Sequence, residues 1–139
     1  MQVQPFLFFN GRCEEALRFY VDAVGARVTG MLRFSENPDR PPPGVLPAEL
    51  DDKIMHAIMT IGDTEIMASD GLRISEPTFQ GVTLALAVPS AADADRMFDA
   101  LSEGGEGQLP IHETFFAERF GMAKDRFGVS WMVVTQARH

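Results

Sequence analysis

Short apolar segments alternate with two amphipathic stretches along the chain. In the first half, a strand predicted over residues 4–9 leads to a helix over about 12–24, whose apolar residues recur at helical spacing. Gly25 is predicted to end this helix, because glycine adopts the left-handed conformation at little cost. Three further strands are predicted over residues 26–34, 54–61 and 65–69. The last two are joined as a hairpin at Gly62.

The second half repeats this order. A strand over residues 82–88 leads to a helix that Ser90 is predicted to cap, with Asp93 completing a capping-box pattern. Gly104 and Gly105 end that helix. Three strands follow, near residues 107–114, 121–125 and 130–135. The turn before the last strand carries Phe127-Gly128.

The repeat predicts an α+β fold of two βαβββ modules, the first over about residues 4–70 and the second over about 80–136. At 139 residues, the chain suits one domain that spans its full length. The main asymmetry is the proline-rich loop, residues 35–52, which also carries several acidic residues. Consecutive prolines cannot donate to a sheet ladder, so this segment is predicted to be a surface loop. A plain excursion, a lid and a dimer arm remain as alternatives for it.

Composition and charge exclude several classes of function. Hydrophobic residues make up 45% of the chain and charged residues 23%, as in ordinary globular proteins. The net charge of -8 argues against nucleic acid and against anionic membrane surfaces, which need a basic face. The apolar runs are too short to span a bilayer, and the start lacks a signal-peptide pattern. The single cysteine, Cys13, fits a reducing cytoplasm and is predicted to be a small buried hydrophobe.

The stretch over residues 111–134 is the richest in side chains that could contact a ligand. It holds one His, two Glu, two Arg, one Asp, four Phe and one Trp around two apolar, strand-like runs. Small-molecule sites are mostly apolar with a few placed polar groups. The stretch therefore predicts a concave, aromatic-lined site.

Five segments together resemble the PhnB-like proteins over nearly the whole chain. They are residues 8–20 (FFNGRCEEALRFY), 53–57 (KIMHA), 66–70 (IMASD), 113–121 (ETFFAERFG) and 125–131 (DRFGVSW). PhnB-like proteins belong to the vicinal-oxygen-chelate superfamily, with glyoxalase I, extradiol dioxygenases and bleomycin-resistance proteins. The resemblance implies paired βαβββ modules that curl into a cup, usually within a homodimer.

Related sequences also carry the label 3-demethylubiquinone methyltransferase, which the residues do not support. A nucleotide-type methyl donor usually lies on a glycine-rich turn between a strand and a helix of a parallel sheet. Here Gly25 and the pair at 104–105 follow helices instead. We interpret the label as naming history rather than chemistry.

The metal enzymes of this superfamily take His, Glu or Gln ligands from the first and last strand of each module. Aligned strand against strand, the four ligand positions fall near Pro5, Met67, Thr83 and Met132. Zn, Mn and Fe in such sites require imidazole or carboxylate ligands, so no metal and no cofactor is predicted. Glu65 and Asp70 flank the Met67 position and are expected to face no partners.

The three histidines offer one alternative metal site. His56, His112 and Glu113 could form a His-His-carboxylate set, while His139 ends the chain. Successive strand residues point to opposite faces, so His112 and Glu113 cannot share a face without a bulge. A native site of this kind is not expected.

Five side chains are the predicted ligand-binding residues: His56, Glu113, Phe116, Arg119 and Trp131. His56 and Glu113 are also the catalytic candidates, because imidazole and carboxylate groups transfer protons.

Each of the five has a structural alternative. His56 could be an imidazole bonded to a neighbouring strand, and Glu113 a surface ion pair. Arg119 could form a salt bridge to Glu118, to Asp125 or to a dimer partner. Phe116 and Trp131 could be core rather than walls of a site. Asp125 is predicted to bond the backbone of its own turn.

Two classes of function remain open. The first is a metal-free, cytoplasmic protein that binds a small organic molecule between aromatic walls, as bleomycin-resistance proteins do. The second is a lyase, isomerase or dioxygenase of the same superfamily, which acts through His56 and Glu113 or through a metal at an unassigned position. The missing ligand set favours the first.

Overall fold

Each half of the chain folds as a strand, a helix and three further strands. The computed structural model describes residues 1–135, in two units, Met1–Pro77 and a second that begins at Thr78. The first unit contains β1 (Phe6–Phe8), α1 (Cys13–Val24), β2 (Arg27–Arg33), β3 (Ile54–Ile61) and β4 (Thr64–Ser69). The second contains β5 (Thr83–Val88), α2 (Ala91–Ser102), β6 (Glu106–His112), β7 (Phe120–Lys124) and β8 (Ser130–Thr135).

Both units build the same four-stranded mixed sheet. The strand orders are β1-β4-β3-β2 and β5-β8-β7-β6. In each unit the first strand pairs parallel to the last, and the other pairs are antiparallel. The predicted α+β fold of two βαβββ modules is therefore confirmed.

The helix ends follow the predicted signals in part. Gly25 is left-handed at φ 70° and ends α1. At the start of α2, the Ser90 hydroxyl accepts from the Asp93 N–H at 3.1 Å and donates to the Asp93 carboxylate at 3.0 Å. The cap is as predicted. In a full capping box, however, the Asp93 carboxylate would accept from the Ser90 backbone N–H, whereas here it accepts from the Ser90 hydroxyl.

Four strands are shorter than predicted, β1, β2, β5 and β6, and two of them are shortened for a clear reason. β1 begins at Phe6 because Pro5, lacking an N–H, contributes only its carbonyl, which accepts from the Met67 N–H at 3.0 Å. β6 ends at His112 because Thr114 closes a local turn. Its hydroxyl accepts from the N–H groups of Phe116 and Ala117, so the extended backbone stops there.

The core of each unit lies between the helix and one face of its sheet. In the first unit, Ala57, Met59 and Ala68 are fully buried on that face. In the second, Phe98 of α2 packs on Gly121, where an added Cβ would lie 3.1 Å from the ring. Gly105 is required at the end of α2, since its Cβ would lie 2.1 Å from the Lys124 carbonyl oxygen.

Candidate functional site

The first unit presents one sheet face that points away from its helical side. Strand register places three rows of side chains there, because side chains of paired residues share a face. The rows are Phe8 with the buried Ser69, continued along β3 by His56 with Leu32; Phe6, Met67, Ile58 and Gly30; and Glu65, Thr60 and Arg27. We call these residues the open face of the first unit.

Aromatic rings cluster at one end of the open face. The rings of Phe6 and Phe8 stack with centroids 4.9 Å apart, although they are 38% and 49% exposed. The His56 ring lies 5.8 Å from that of Phe6, at an interplanar angle of 59°. Since Met67 pairs directly with Phe6, these four side chains form one apolar surface with a polar imidazole at its edge.

His56 is a half-buried residue of β3. Within residues 1–135, no hydrogen bond holds the imidazole to a neighbouring strand. The strand-bonded imidazole that was the alternative for His56 is therefore not seen in these residues. Its nearest ring neighbour is Phe6. The ring nitrogens can thus donate to or accept from a bound molecule.

Glu65 and Asp70 both have partners, contrary to expectation. The Gln4 amide donates to the Glu65 carboxylate at 2.7 Å. Asp70 is 1% exposed, and one of its carboxylate oxygens accepts from the N–H groups of Gly11 and Cys13 at 2.7 and 2.8 Å. The other oxygen accepts from the Ile54 N–H at 2.8 Å.

Asp70 therefore caps α1 from the sheet and joins three elements. The Arg12 side chain makes no cap bond at the start of α1, so the carboxylate satisfies N–H groups that a helix start leaves unpaired. The bond to Ile54 holds the beginning of the strand that carries His56.

Cys13 lies beneath this carboxylate and has no reactive character. The thiol is fully buried, and burial together with the charges of Asp70 and Glu14 raises its pKa far above the ordinary range. A protonated, inaccessible thiol cannot act as a nucleophile. The prediction of a small buried hydrophobe is confirmed.

In the second unit, Asp125 and Trp131 form a buried pair. One Asp125 oxygen accepts from the N–H groups of Phe127 and Val129 at 2.9 and 3.1 Å, which confirms the predicted turn. The other accepts from the Trp131 indole at 2.9 Å. Trp131 is 2% exposed, in the position that core packing predicts. Its role as a wall of a ligand site stays a prediction.

Arg119 forms the salt bridge that was its structural alternative, but with a partner that the sequence did not indicate. Its Nε lies 3.2 Å from the Asp95 carboxylate of α2, while its contact with Glu118 is to the backbone carbonyl. Asp125 is occupied by the turn and by Trp131. An acidic residue 24 positions away could be found only from the fold.

The remaining candidates of the second unit lie around the end of β6. Phe116 is 37% exposed and packs edge-on against Phe120, which also packs against His112. Glu113 is exposed and lies just beyond the strand. His112 places Nδ1 2.7 Å from the Pro110 carbonyl oxygen, so that nitrogen is turned to its own strand.

The predicted ligand positions do not form a hard-metal site. Met67 presents a thioether on the open face, and the Pro5 carbonyl is paired to the Met67 backbone. Thr83 is exposed on β5, and Met132 offers a second thioether. Within either unit, the described residues contain no group of three His, Cys, Asp or Glu side chains that could hold an ion. Zinc, manganese and iron do not fit these donors.

Phe6 and Phe8 are candidate site residues that were not predicted from the sequence. The signal was present, because Phe6 and Phe8 alternate with the buried Leu7 and Phe9. Strict alternation assigns them to the opposite face.

Of the helices in residues 1–135, none has the length and apolar character that a bilayer crossing requires.

Comparison with known proteins gives a consistent set of relatives. The family model for 3-demethylubiquinone-9 3-methyltransferase matches residues 1–134. Protein YjdN from Escherichia coli (strain K12) is 33% identical over 141 residues, covering 96% of this chain and 94% of that protein. The solved structure of PA1353 from Pseudomonas aeruginosa is 42% identical, with a TM-score of 0.83 over 98% of both chains.

Two more distant structures show the same fold. A putative 3-demethylubiquinone-9 3-methyltransferase, PhnB protein, from Bacillus cereus is 24% identical, with a TM-score of 0.77 over 97% of this chain and 99% of that one. A glyoxylase/bleomycin resistance protein/dioxygenase domain from Frankia sp. EAN1pec is 16% identical, with a TM-score of 0.65 over 99% and 95%. The architecture is that of the glyoxalase/bleomycin resistance/dioxygenase fold.

Proposed function

The chain belongs to the 3-demethylubiquinone-9 3-methyltransferase family, and on this premise we propose that it is a PhnB-like vicinal-oxygen-chelate protein that binds a small organic molecule without a metal. The open face of the first unit is the site that we propose in that unit. Glu113, Phe116, Arg119 and Trp131 remain the ligand residues that we propose in the second unit.

The observation that carries this proposal is the exposed aromatic pair beside an imidazole. Phe6 and Phe8 leave 38% and 49% of their surface open, where a flat molecule could cover them. Burial of about 100 Å² of apolar surface contributes roughly 2.5 kcal/mol. His56 supplies the polar contact that would orient the molecule, since its ring lies against Phe6.

The donor chemistry supports a site without a metal. Two thioethers, a proline and a threonine occupy the positions from which the metal enzymes of the fold take their ligands. Methionine more commonly fills irregular apolar space, and a surface of this kind suits an organic ligand. We therefore assign no catalytic step to a bound ion.

A methyltransferase activity is not part of the proposal, despite the name of the family. The turn that leads from β1 into α1 is closed by Asp70, which accepts from the Gly11 and Cys13 N–H groups. Those are the N–H groups that such a turn would otherwise offer to a cofactor. The family name therefore gives no support for a methyl donor here.

The proposal also includes a homodimer in the cytoplasm. Each four-stranded sheet has two edge strands, and exposed edges require cover in a stable protein. The one cysteine is a free, buried thiol, which is compatible with a reducing compartment.

A ligand screen followed by matched variants tests the site. Compounds that raise the unfolding temperature would be titrated by calorimetry into the wild type, Phe6→Leu, His56→Gln and Glu113→Gln. Phe6→Leu keeps an apolar side chain but removes the stacked ring. Glu113→Gln removes the charge at nearly constant shape, and His56→Gln replaces the imidazole with a polar amide. We expect each to weaken a genuine ligand by more than about twofold, which is roughly 0.4 kcal/mol. A ligand whose affinity changes in none of the three would overturn the assignment.

A further inference from the structure

The proline-rich loop, residues 35–52, borders an open pocket on the first unit. The space measures about 500 Å³, and its lining residues all lie between Phe34 and Asp51. Cavities of roughly 300–1,000 Å³ hold small organic molecules in proteins. The cavity lies beyond β2 and before β3, so it is distinct from the open face.

Hydrogen bonds hold the loop in place at its root. The Phe34 N–H donates to the Lys53 carbonyl and the Ser35 N–H to the Asp51 carbonyl, both at 3.0 Å. Arg33 donates to the Asp52 carbonyl and to the Glu14 carboxylate, each at 2.7 Å. These bonds join both ends of the loop to the sheet and to α1.

The interior of the loop is also ordered by its own side chains. Leu50 is 1% exposed and anchors a short 3-10 turn, Ala48–Leu50. The three prolines at 41–43 restrict their own backbone and line the cavity. Walls that are organised before binding lose little entropy when a ligand enters.

The lining combines an apolar wall with one pair of opposite charges. Phe34, Leu46 and the prolines at 41–43 form the apolar part. Arg40 and Asp51 also line the space, 3.5 Å apart, with 55% and 54% of their side chains exposed. An ion pair this long and this exposed is weak, so a ligand charge can replace one member.

The charge of the surrounding loop decides which member is replaced. Five carboxylates lie in residues 35–52, those of Glu36, Asp39, Glu49, Asp51 and Asp52, against the single guanidinium of Arg40. This excess attracts cations and repels anions. The lining also includes the aromatic ring of Phe34, a side-chain type that attracts cations.

We propose that the proline-rich loop holds a second small-molecule site, selective for a flat organic cation that pairs with Asp51 in place of Arg40. The apolar body of the ligand lies against Phe34 and the prolines, and its ammonium group bonds the Asp51 carboxylate. This site does not depend on the function proposed for the open face.

The test uses tryptamine as the cationic probe and indole-3-acetate as the anion with the same ring system, observed in ¹H–¹⁵N spectra. Tryptamine should shift the amide signals of Asn37, Gly44 and Leu46. Indole-3-acetate should bind at least about threefold more weakly than tryptamine, because an exposed charge pair contributes only a modest free energy. Shifts confined to the amides of Phe6, Phe8 and His56 would place binding on the open face and overturn this proposal.

Three variants separate the pairing from the general field. Asp51→Asn should weaken tryptamine about threefold, and Arg40→Gln should strengthen it by a similar factor, since it releases Asp51. Asp39→Asn is the matched control, because it removes the same charge from outside the cavity lining. Equal losses in Asp51→Asn and Asp39→Asn would contradict the proposal. If the spectrum of Asp51→Asn shows that this variant is unfolded, Arg40→Gln becomes the deciding test. The proposal is then overturned if Arg40→Gln does not bind tryptamine more strongly than the wild type.

Discussion

Two buried aspartates organise the protein at the scale of single residues, and they differ in how visible they are in the sequence. Asp125 bonds N–H groups two and four residues ahead, so the local pattern of a turn predicts it. Asp70 bonds N–H groups 59, 57 and 16 residues away. Contacts between residues this far apart leave no local pattern, and only the fold brings them together.

Asp70→Asn should therefore destabilise the first unit markedly. An amide has one oxygen, so at least one of the three N–H groups that Asp70 accepts from would face a donor instead of an acceptor. Leaving one such group unsatisfied costs about 1–3 kcal/mol. Urea unfolding measures the loss, with the exposed Asp22→Asn on α1 as control, which should change the free energy of unfolding by less than about 0.5 kcal/mol. Equal stability of the two variants would refute the capping role.

The same contrast holds for the candidate site residues. Phe6 and Phe8 could be assigned to the open face from alternation alone. The partner of Arg119 could not, because Asp95 lies on a helix that packs beside β7 only in the fold. Periodicity reports which face a side chain occupies, whereas pairing depends on tertiary structure.

At the scale of elements, the pattern predicts strands better in the sheet centre than at its margins. β3 has the bounds that were predicted, residues 54–61, because its apolar alternation is long and continuous. β1 and β6 are shorter, since Pro5 and the Thr114 turn interrupt the ladder at their ends. The interior order of the proline-rich loop was also missed, because its hydrogen bonds have no periodic signature.

One ion pair ties α1 to the root of the proline-rich loop and should make stability depend on pH. The hydrogen bond from Arg33, at 2.7 Å, holds the pKa of Glu14 below its ordinary value of 4.5. A carboxylate with a lowered pKa stabilises the fold above that ordinary value. Its contribution is lost as the pH falls below 4.5 through the lower value in the folded protein.

Glu14→Gln should accordingly lower the free energy of unfolding near neutral pH by less than about 1 kcal/mol, because the pair is partly exposed. The difference from the wild type should shrink as the solution is acidified below the ordinary glutamate pKa. Chemical unfolding at several pH values measures it. A difference that persists unchanged in acid would contradict the ionic origin.

At the scale of the whole molecule, assembly is the first property to measure. Light scattering at micromolar concentration should give about twice the chain mass of 15.3 kDa, since each sheet has edge strands that pairing can cover. If the dimer interface is extensive, dilution of the sample should not change the measured mass. A mass equal to that of one chain would count against the proposed homodimer.

The central claim is that this member of the family binds its ligand without a metal, and elemental analysis of the purified protein tests it most directly. With Pro5, Met67, Thr83 and Met132 at the ligand positions, we expect no stoichiometric Zn, Mn, Fe or Ni, even after incubation with each ion and gel filtration. The contradicting result is about one ion per chain that His56→Ala removes, which would favour a metal-dependent enzyme of the superfamily instead.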